Sequence, residues 1–396
     1  MKKKKYYNLK KMKIIQNNYN SIKKIIDYTN LNPIIYLIDK LIKKTPYYYK
    51  YAKIIDNLKY DPQDIEIALT YNCNLNCNYC YAKGLEKKIK FMTFKNFKKL
   101  LKWLSIQNEK SITFTGGEPT THPDIKNILK LCEKKGFKFY ILTNGLYDYS
   151  LNKLINKKIS PRIAFHFPTS KYNKKNMTTF LKNIEILKKK KINIKLRYNI
   201  LKSDNFSNII QIVKKYELEI ALGIPNKGFS NNKFINWKNE NKQIIKNLIK
   251  FIKICKKEKI ICYLNRPLPK CICSKKTWNF IKKNANTKLK CGENSKKNKL
   301  INLHIRPDLK LFLCLNVFIS NEKIITDYNS INEVNNNYYN INEFLKWKIP
   351  LYNKCKKCGL FINKVCQGGC LGNKLANIKN VKLPNDMKLI NPNGKK

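Results

Sequence analysis

Three cysteines in one short stretch, Cys73-Asn-Leu-Asn-Cys77-Asn-Tyr-Cys80, carry the strongest chemical signal in the sequence. Their thiolates can wrap one small polynuclear centre. Closed structural zinc sites and most iron–sulfur clusters take four protein ligands, so three donors leave one coordination position open. A zinc loop completed by a distant residue is the blander alternative. A second group is Thr115-Gly116-Gly117-Glu118-Pro119. Two glycines let the backbone approach a ligand closely. Pro119 holds Glu118 extended, and a fixed carboxylate there can accept from a ligand ammonium group. Taken alone, the segment is equally an ordinary strand-to-helix turn. A third group is Cys355-x2-Cys358-x7-Cys366-x3-Cys370, with Gly368 and Gly369 before its last cysteine and Cys271, Cys273, Cys291 and Cys314 upstream. Cysteine pairs near C-x2-C also suggest a zinc ribbon.

These groups need elements to position them. Short β-rich runs recur at 65–71, 111–115, 138–143, 162–167, 193–200 and 219–224. Spacers with helical periodicity lie at 92–104, 123–135, 176–190, 205–216 and 239–257, and Thr121, Pro123 and Asp124 read as a cap and first turn. Repeated strand–helix alternation predicts parallel βα units. Along the strands, Ile65, Ile67 and Leu69 alternate with Glu66, Ala68 and Thr70, and Ile194, Leu196 and Tyr198 alternate with Lys195, Arg197 and Asn199. An open doubly wound sheet is buried on both faces and reads as continuous apolar runs. One large apolar face and one small or polar face suit an α/β partial (β/α)6 TIM-like barrel with helices outside and ligands at the C-terminal strand ends. The motifs at 73–80 and 115–119 follow the first two strands. Residues 1–60 read as a helical N-terminal extension and 61–262 as the barrel. Residues 263–384 read as a separate small Cys-rich α+β domain organised by metal, within which the Asn-rich 329–343 reads as loop. Residues 385–396 read as a tail.

Composition limits the function classes. The 396 residues carry a net charge of +57, with 43% hydrophobic and 12% aromatic residues, enough to bury a core. Arginine occurs only at Arg162, Arg197, Arg266 and Arg306 among 82 basic residues. Specific nucleic-acid readers lean on the planar arginine fork. Lysine spread along the whole chain fits a compositional bias better than a binding stripe, so no specific nucleic-acid partner is expected, although weak polyanion affinity is. Residues 1–13 lack the apolar run of a signal peptide, and Ile34–Ile42 is cut by Asp39 and Lys40. The expectation is a cytoplasmic protein with no membrane partner and reduced thiols, in which grouped cysteines are metal ligands. Cys132, Cys255 and Cys262 read as core residues.

Together, the C-x3-C-x2-C loop after the first strand, with Tyr79 before its last cysteine, and the Gly-Gly-Glu-Pro motif after the second resemble the radical S-adenosylmethionine superfamily. The resemblance runs over about 62–225 and includes the Thr143-Asn144-Gly145 turn. It implies a [4Fe–4S] cluster on Cys73, Cys77 and Cys80, whose open iron binds S-adenosylmethionine. It further implies that Gly116, Gly117, Glu118 and Pro119 form the motif that binds the methionine amino group and that Tyr79 lies near adenine. Arg197 and Asn199, at the end of the fifth strand, occupy places where the family sets polar groups on the ribose and carboxylate. His166 takes the corresponding place on the fourth strand, and Asn144 joins this cofactor-binding set. Satisfied burial is the competing reading for His166 and Arg197.

The third cysteine group is similar to the SPASM/twitch region of radical enzymes, which holds one or two auxiliary [4Fe–4S] clusters. By that resemblance Cys291, Cys314 and Cys370 belong with one cluster, to which Cys271 or Cys273 adds a fourth ligand. Cys355, Cys358 and Cys366 belong with a second that lacks an identified fourth ligand. The seven-residue gap before Cys366 and the absence of a cysteine after Cys370 depart from the family pattern. The resemblance implies an enzyme that cleaves S-adenosylmethionine reductively and acts on a peptide or protein side chain, with a flavodoxin or ferredoxin as reductant. A radical enzyme of small molecules or nucleotides is the alternative. A zinc-stabilised nucleic-acid-binding protein is the rival from another class.

Overall fold

The computed structural model describes residues 65–389, apart from 78, 83–84, 86–88, 161, 168–171, 202–205, 225–236, 288–302, 316, 378–381 and 385. The expected N-terminal extension, Cys291 and the end of the tail lie outside the described residues.

All six predicted strands form: β1 (Ile65–Thr70), β2 (Ser111–Gly116), β3 (Lys138–Thr143), β4 (Arg162–His166), β5 (Asn193–Asn199) and β6 (Glu219–Gly223). Each pairs with the next in parallel. The five predicted helices form as α1 (Phe94–Ile106), α2 (Ile125–Lys134), α3 (Lys174–Lys189), α4 (Ser207–Lys215) and α5 (Trp237–Lys257). Helix α2 starts later than its sequence signal. Asp124 takes the N-cap position without a side-chain bond, while the Thr121 hydroxyl donates instead to the Glu118 carbonyl.

The sheet is wider than six strands. Strands β7 (Cys262–Leu264) and β8 (Asn286–Thr287) extend it beyond β6, and β9 (His304–Ile305) adds in parallel to the far edge of β1. Strand β10 (Leu311–Phe312) pairs antiparallel with β9, and the order becomes β10-β9-β1-β2-β3-β4-β5-β6-β7-β8. Three of these strands come from 263–384, so the Cys-rich region shares the main sheet. Strands of two or three residues are too short to leave a periodic signal. A second small sheet pairs β11 (Ile319–Ser320) with β12 (Lys388–Leu389). Among the described residues, no helix is long and apolar enough to cross a membrane.

The two faces of the sheet differ as the alternation predicted. Ile65, Ile67, Leu69, Phe114, Phe165 and Leu196 are buried in one large cluster with Phe97, Leu100, Ile128, Phe180 and Ile209 from the helices. Each such side chain contributes roughly 1.5–3 kcal/mol relative to exposure. The other face carries Thr113, Thr115, His166, Arg197 and Asn199, beside a separate small cluster of Ala68, Tyr71, Ala82, Leu85, Phe312 and Phe318.

The Asn-rich 329–343, expected as loop, is instead mostly helix. Helix α6 (Lys275–Asn284) is followed by α7 (Ile331–Trp347) and the short α8 (Gly359–Ile362). In α7 the Ser330 hydroxyl accepts from the Glu333 amide (3.2 Å), and the Glu333 carboxylate accepts from the Asn329 amide (2.8 Å), a reciprocal cap. Ile331, Val334, Tyr338, Ile341 and Leu345 are all buried. That spacing is the buried stripe of a helix, which outweighs the poor helix propensity of asparagine.

Candidate active site

The cysteine loop leaves the C-terminal end of β1 and is closed at its base. The Met92 amide donates to the Leu69 carbonyl (2.8 Å), the Tyr71 amide to the Lys90 carbonyl (3.2 Å) and the Thr70 hydroxyl to the same carbonyl (2.6 Å). The end of β2 locks onto this base. Gly117 N–H donates to the Thr70 carbonyl (2.7 Å), and Glu118 N–H to the Asn72 carbonyl (2.8 Å). A Cβ on Gly116 would lie 1.9 Å from the Thr70 oxygen, and one on Gly117 2.1 Å from the Asn72 oxygen. The paired glycines are therefore explained by backbone contact with the start of the cysteine loop. Gly116 also has φ of +126°, which disfavours any side chain.

Within the loop, Cys73, Cys77 and Cys80 are half-buried and form no disulfide. The Cys73 sulfur accepts from the Leu75 amide at 3.4 Å and has the Asn144 side-chain amide at 4.0 Å. Burial first, then the charges of Glu118, Cys80 and Cys77, push the Cys73 thiol up to about 12. The charges of Cys80 and Cys77 beside Cys73 are a penalty that a cationic centre would relieve. Hydrogen bonds already directed at sulfur are those that stabilise a cluster thiolate. Among the described residues, no three His, Cys, Asp or Glu side chains are gathered around a point where one metal ion would sit. Three cysteine thiolates that leave one position open are the donor set that would hold a [4Fe–4S] cluster.

Glu118 is fully buried, and its carboxylate is occupied by the protein itself. One oxygen accepts from the Thr120 amide (3.2 Å), the Thr120 hydroxyl (2.7 Å) and the Thr143 hydroxyl (2.8 Å); the other accepts from the Asn144 amide (2.7 Å). Burial raises its pKa, and these bonds oppose the rise. Glu118 thus ties the motif after β2 to the turn after β3. Asn144 passes the tie onward: its side chain donates to Asn74 Oδ1 (2.7 Å), which returns to the cysteine loop. Pro119 opens the one-turn 3-10 helix that Glu118 caps.

The polar face of the sheet supplies the rest. The Tyr79 hydroxyl lies 2.9 Å from His166 Nε2 and bonds the Asn199 side chain. Burial, then Arg197 and Arg266, lower His166 to about 4, so it is neutral near pH 7. Burial also lowers Arg197, which Glu66 opposes. Asn199 sits against Gly223, where a Cβ would meet its oxygen at 2.3 Å. Tyr79, His166, Arg197 and Asn199 are thus brought together on the face that carries the cysteine loop.

Sequence reasoning missed several positioning residues. The Tyr81 hydroxyl donates to the Gly116 carbonyl (2.6 Å), directly after the last cysteine. His304 on β9 lies 3.4 Å from the Tyr71 hydroxyl and stacks on Phe312, which ties the Cys-rich region to the base of the loop. The Asn183 amide donates to the carbonyls of Gly145 and Tyr147 (3.0 Å each) and fixes the turn after β3. None of these had a sequence signal, because each partner is distant along the chain.

The C-terminal cysteines occupy turns. The Cys358 amide donates to the Cys355 carbonyl (3.1 Å), and α8 follows. The Cys366 amide returns to the Leu360 carbonyl (2.8 Å). Cys271 is exposed on a 3-10 turn (Lys270–Ile272), Cys273 and Cys314 are half-buried, and Cys370 is buried after two left-handed glycines. Cys132, Cys255 and Cys262 are buried in the main core, as expected.

The description "Radical SAM superfamily" matches residues 67–216. A protein of Pyrococcus horikoshii named probable GTP 3′,8-cyclase is 29% identical over 126 residues, which are 32% of this chain and 41% of the relative. The 7-carboxy-7-deazaguanine synthase of Clostridium acetobutylicum is 31% identical over 149 residues, 37% of this chain and 64% of the relative. The chain therefore spans about half the length of the curated relatives it matches. Streptococcus suis SuiB bound to S-adenosylmethionine has a similar fold, with a TM-score of 0.54, 15% identity and coverage of 82% of this chain and 78% of SuiB. The anSMEcpe structure with bound AdoMet has a TM-score of 0.50 at 18% identity, covering 78% of this chain and 89% of its own. With the three-cysteine loop locked to the Gly-Gly-Glu motif inside the matched span, residues 67–216 form a domain of the radical SAM superfamily.

Proposed function

We propose that this chain is a radical SAM enzyme that modifies a peptide or protein side chain. The observation that carries the reading is the half-buried Cys73–Cys77–Cys80 loop, fastened by backbone bonds to Gly117 and Glu118. A reduced [4Fe–4S] cluster bound there would supply the electron for cleaving S-adenosylmethionine to methionine and a 5′-deoxyadenosyl radical able to take a hydrogen atom from substrate. Cys73, Cys77 and Cys80 would hold the cluster. The segment 116–119 and the turn at Asn144 set the wall beside it. Tyr79, His166, Arg197 and Asn199 supply the polar contacts for the rest of S-adenosylmethionine. His166, neutral because of burial and its two arginine neighbours, can accept or donate one hydrogen bond without adding charge.

The peptide reading draws support from the two similar folds, since one neighbouring structure is SuiB bound to its precursor peptide SuiA. AlbA of Bacillus subtilis, a subtilosin biosynthesis protein, is also a relative, at 33% identity over 84 residues. On this reading 61–262 performs the radical step, and the Cys-rich 263–384 seats substrate, carries auxiliary clusters and receives electrons from a flavodoxin or ferredoxin. The second reading, a nucleotide or small-molecule substrate, is favoured by the matches to GTP 3′,8-cyclases and to 7-carboxy-7-deazaguanine synthase.

The test is anaerobic reconstitution with iron and sulfide, reduction, and chromatography for 5′-deoxyadenosine. Wild type should form it, and Cys77→Ala should not. Absence of 5′-deoxyadenosine from iron-loaded wild type overturns the enzyme reading. Consumption of added GTP would move the substrate to the second reading.

A further inference from the structure

We propose that Arg266, on the turn after β7, binds a carboxylate of the peptide substrate beside the cofactor site, whether from an acidic side chain or from a chain terminus. This role rests on the peptide reading and supplies the chemistry by which such a substrate is recognised.

Lysine is the default base of this chain, and arginine fills only four of its 82 basic positions. Arg306 is held in an ion pair with Asp308 (2.8 Å). The other three stand on or beside the polar face of the sheet: Arg162 opens β4, Arg197 lies on β5 and Arg266 follows β7. Lysine supplies charge equally well. What arginine adds is a planar fork of donors that meets a carboxylate with two parallel bonds.

Sheet register brings the pieces together. His166 lies opposite Arg197, Arg197 opposite Ala221, and Ala221 opposite Tyr263. Past the end of β7, the Asn265 amide donates to the Leu222 carbonyl (3.0 Å), and Arg266 Nη1 donates to the Ile224 carbonyl (3.2 Å). The Arg266 side chain is therefore folded over the C-terminal end of β6, the strand next to Arg197 and Asn199. His166 in turn meets the Tyr79 hydroxyl (2.9 Å), so this corner borders the cysteine loop.

One layer deeper, the same face balances its own charge. Lys195 pairs with Glu219 (3.2 Å), and its ammonium lies over the Tyr263 ring (3.9 Å). The upper layer has no such balance at Arg266. Among the described residues its guanidinium has no ion pair, and its one hydrogen bond goes to the Ile224 carbonyl, which leaves most of its five N–H donors for a ligand. Burial lowers both His166 and Arg197, and the charge of Arg266 adds to the lowering of each, with Glu66 opposing it at Arg197. A bound anion relieves that repulsion. S-adenosylmethionine carries a single carboxylate, for which Arg197 is the candidate, so the remaining guanidinium calls for a group on the substrate. Peptides offer carboxylates, and the excess of lysine draws an acidic one toward the chain.

The full-length chain, loaded anaerobically with iron and sulfide and saturated with S-adenosylmethionine, is treated with phenylglyoxal, and its four arginines are read by peptide mass spectrometry. Arg266 should react when S-adenosylmethionine alone is present. N-acetylglutamate α-amide, which carries a side-chain carboxylate, or N-acetylalanine, which carries a terminal one, should slow its labelling about tenfold at ten times the Kd. Whichever protects better names the source. Neutral N-acetylglutamine amide, at equal ionic strength, should give no protection. By calorimetry, Arg266→Gln should weaken binding of the protecting probe at least about tenfold, and Arg266→Lys should restore part of it. The wild-type labelling does not depend on how these variants fold. No protection by either carboxylate, full protection by S-adenosylmethionine alone, or stronger protection by inorganic phosphate than by either carboxylate would each overturn the assignment. If iron-loaded wild type forms no 5′-deoxyadenosine, the proposed function fails and this inference with it; if 5′-deoxyadenosine forms and Arg266 ignores both carboxylates, this inference alone fails.

Discussion

Cys73, Cys77 and Cys80 sit on a loop whose ends are sewn to a parallel sheet, whereas Cys355, Cys358 and Cys366 sit on a turn that holds itself. The first loop starts from β1, is gripped by Gly117 and Glu118 from β2, and is tied through Asn144 to the end of β3. Three strands far apart in sequence fix its backbone. The second draws its bonds from within residues 352–366 and rests on its neighbours through Gly369 against Pro269 and the buried Lys374, which donates to the Leu345 and Lys346 carbonyls at the end of α7 (2.8 Å each). Its α8 carries exposed Leu360 and Ile362. A centre that breaks a strong bond needs donors fixed by a rigid scaffold, while a centre that only binds or relays can be held by local turns that metal itself completes.

The largest expected effect separates the two regions by function. Cys73→Ala should abolish 5′-deoxyadenosine formation, a loss of at least about a thousandfold, because it removes a ligand of the reacting centre. Cys358→Ala should keep S-adenosylmethionine cleavage within about tenfold while losing iron from its own turn. Both rates are read by chromatography on protein of measured iron content. If Cys358→Ala abolishes cleavage as completely as Cys73→Ala, the division between a reacting loop and an auxiliary turn is broken.

Glycine substitutions sharpen the same contrast in stability. Gly117→Ala drives a Cβ to 2.1 Å from the Asn72 carbonyl, so two strands must separate. A loss of about 2–4 kcal/mol is expected, read as a lower urea midpoint. Gly359→Ala, at the start of α8, meets nothing within 4 Å. It should be neutral or stabilise by up to about 1 kcal/mol, since alanine favours helix over glycine. Equal losses at the two positions would refute the view that only the first loop is clamped from outside. Glu118→Gln comes next, at about 1.5–3 kcal/mol, because it weakens charge-assisted bonds to Thr120, Thr143 and Asn144 and brings an amide donor against their donors.

How much of this was legible follows the same division. Ile65, Ile67 and Leu69 announced β1 and its buried face through alternation alone, and the cysteine spacing placed the reacting loop at its end. The roles of Gly116 and Gly117 were legible as close approach, but their partners, Thr70 and Asn72, were not. Contacts across the sheet leave no local pattern. Composition misled at α7, where asparagines hid a stripe running from Ile331 to Leu345. The strands β8, β9 and β10 were too short to read, so the joining of the Cys-rich region to the sheet was not foreseen.

Acid should reveal the difference without any substitution. The protein has three histidines, His122, His166 and His304. Burial lowers all three, His166 to about 4 and His304 to about 3. Arginine adds to the lowering for two of them: Arg197 and Arg266 beside His166, and Arg306 beside His304. The unfolded chain takes up protons near pH 6.5, whereas the folded chain stays unprotonated at these sites to lower pH. Stability contributed by the neutral rings is present above 6.5 and is lost as pH falls through that window toward 4. Between pH 6.5 and 5 few carboxylates titrate, so histidine dominates the slope. All three lie in the strand-held region: His122 between β2 and α2, His166 on β4 and His304 on β9. The turn at Cys355–Cys370 has none. Hydrogen exchange at pH 5 should therefore loosen β1, β4 and β9 relative to pH 7, with the C-terminal turn changing least. His304→Gln should flatten part of the stability profile. Loosening that began at the turn instead would mean that the sheet-held loop is not where the buried ionisable groups are concentrated in effect, and the contrast between the two cysteine regions would rest on backbone bonds alone.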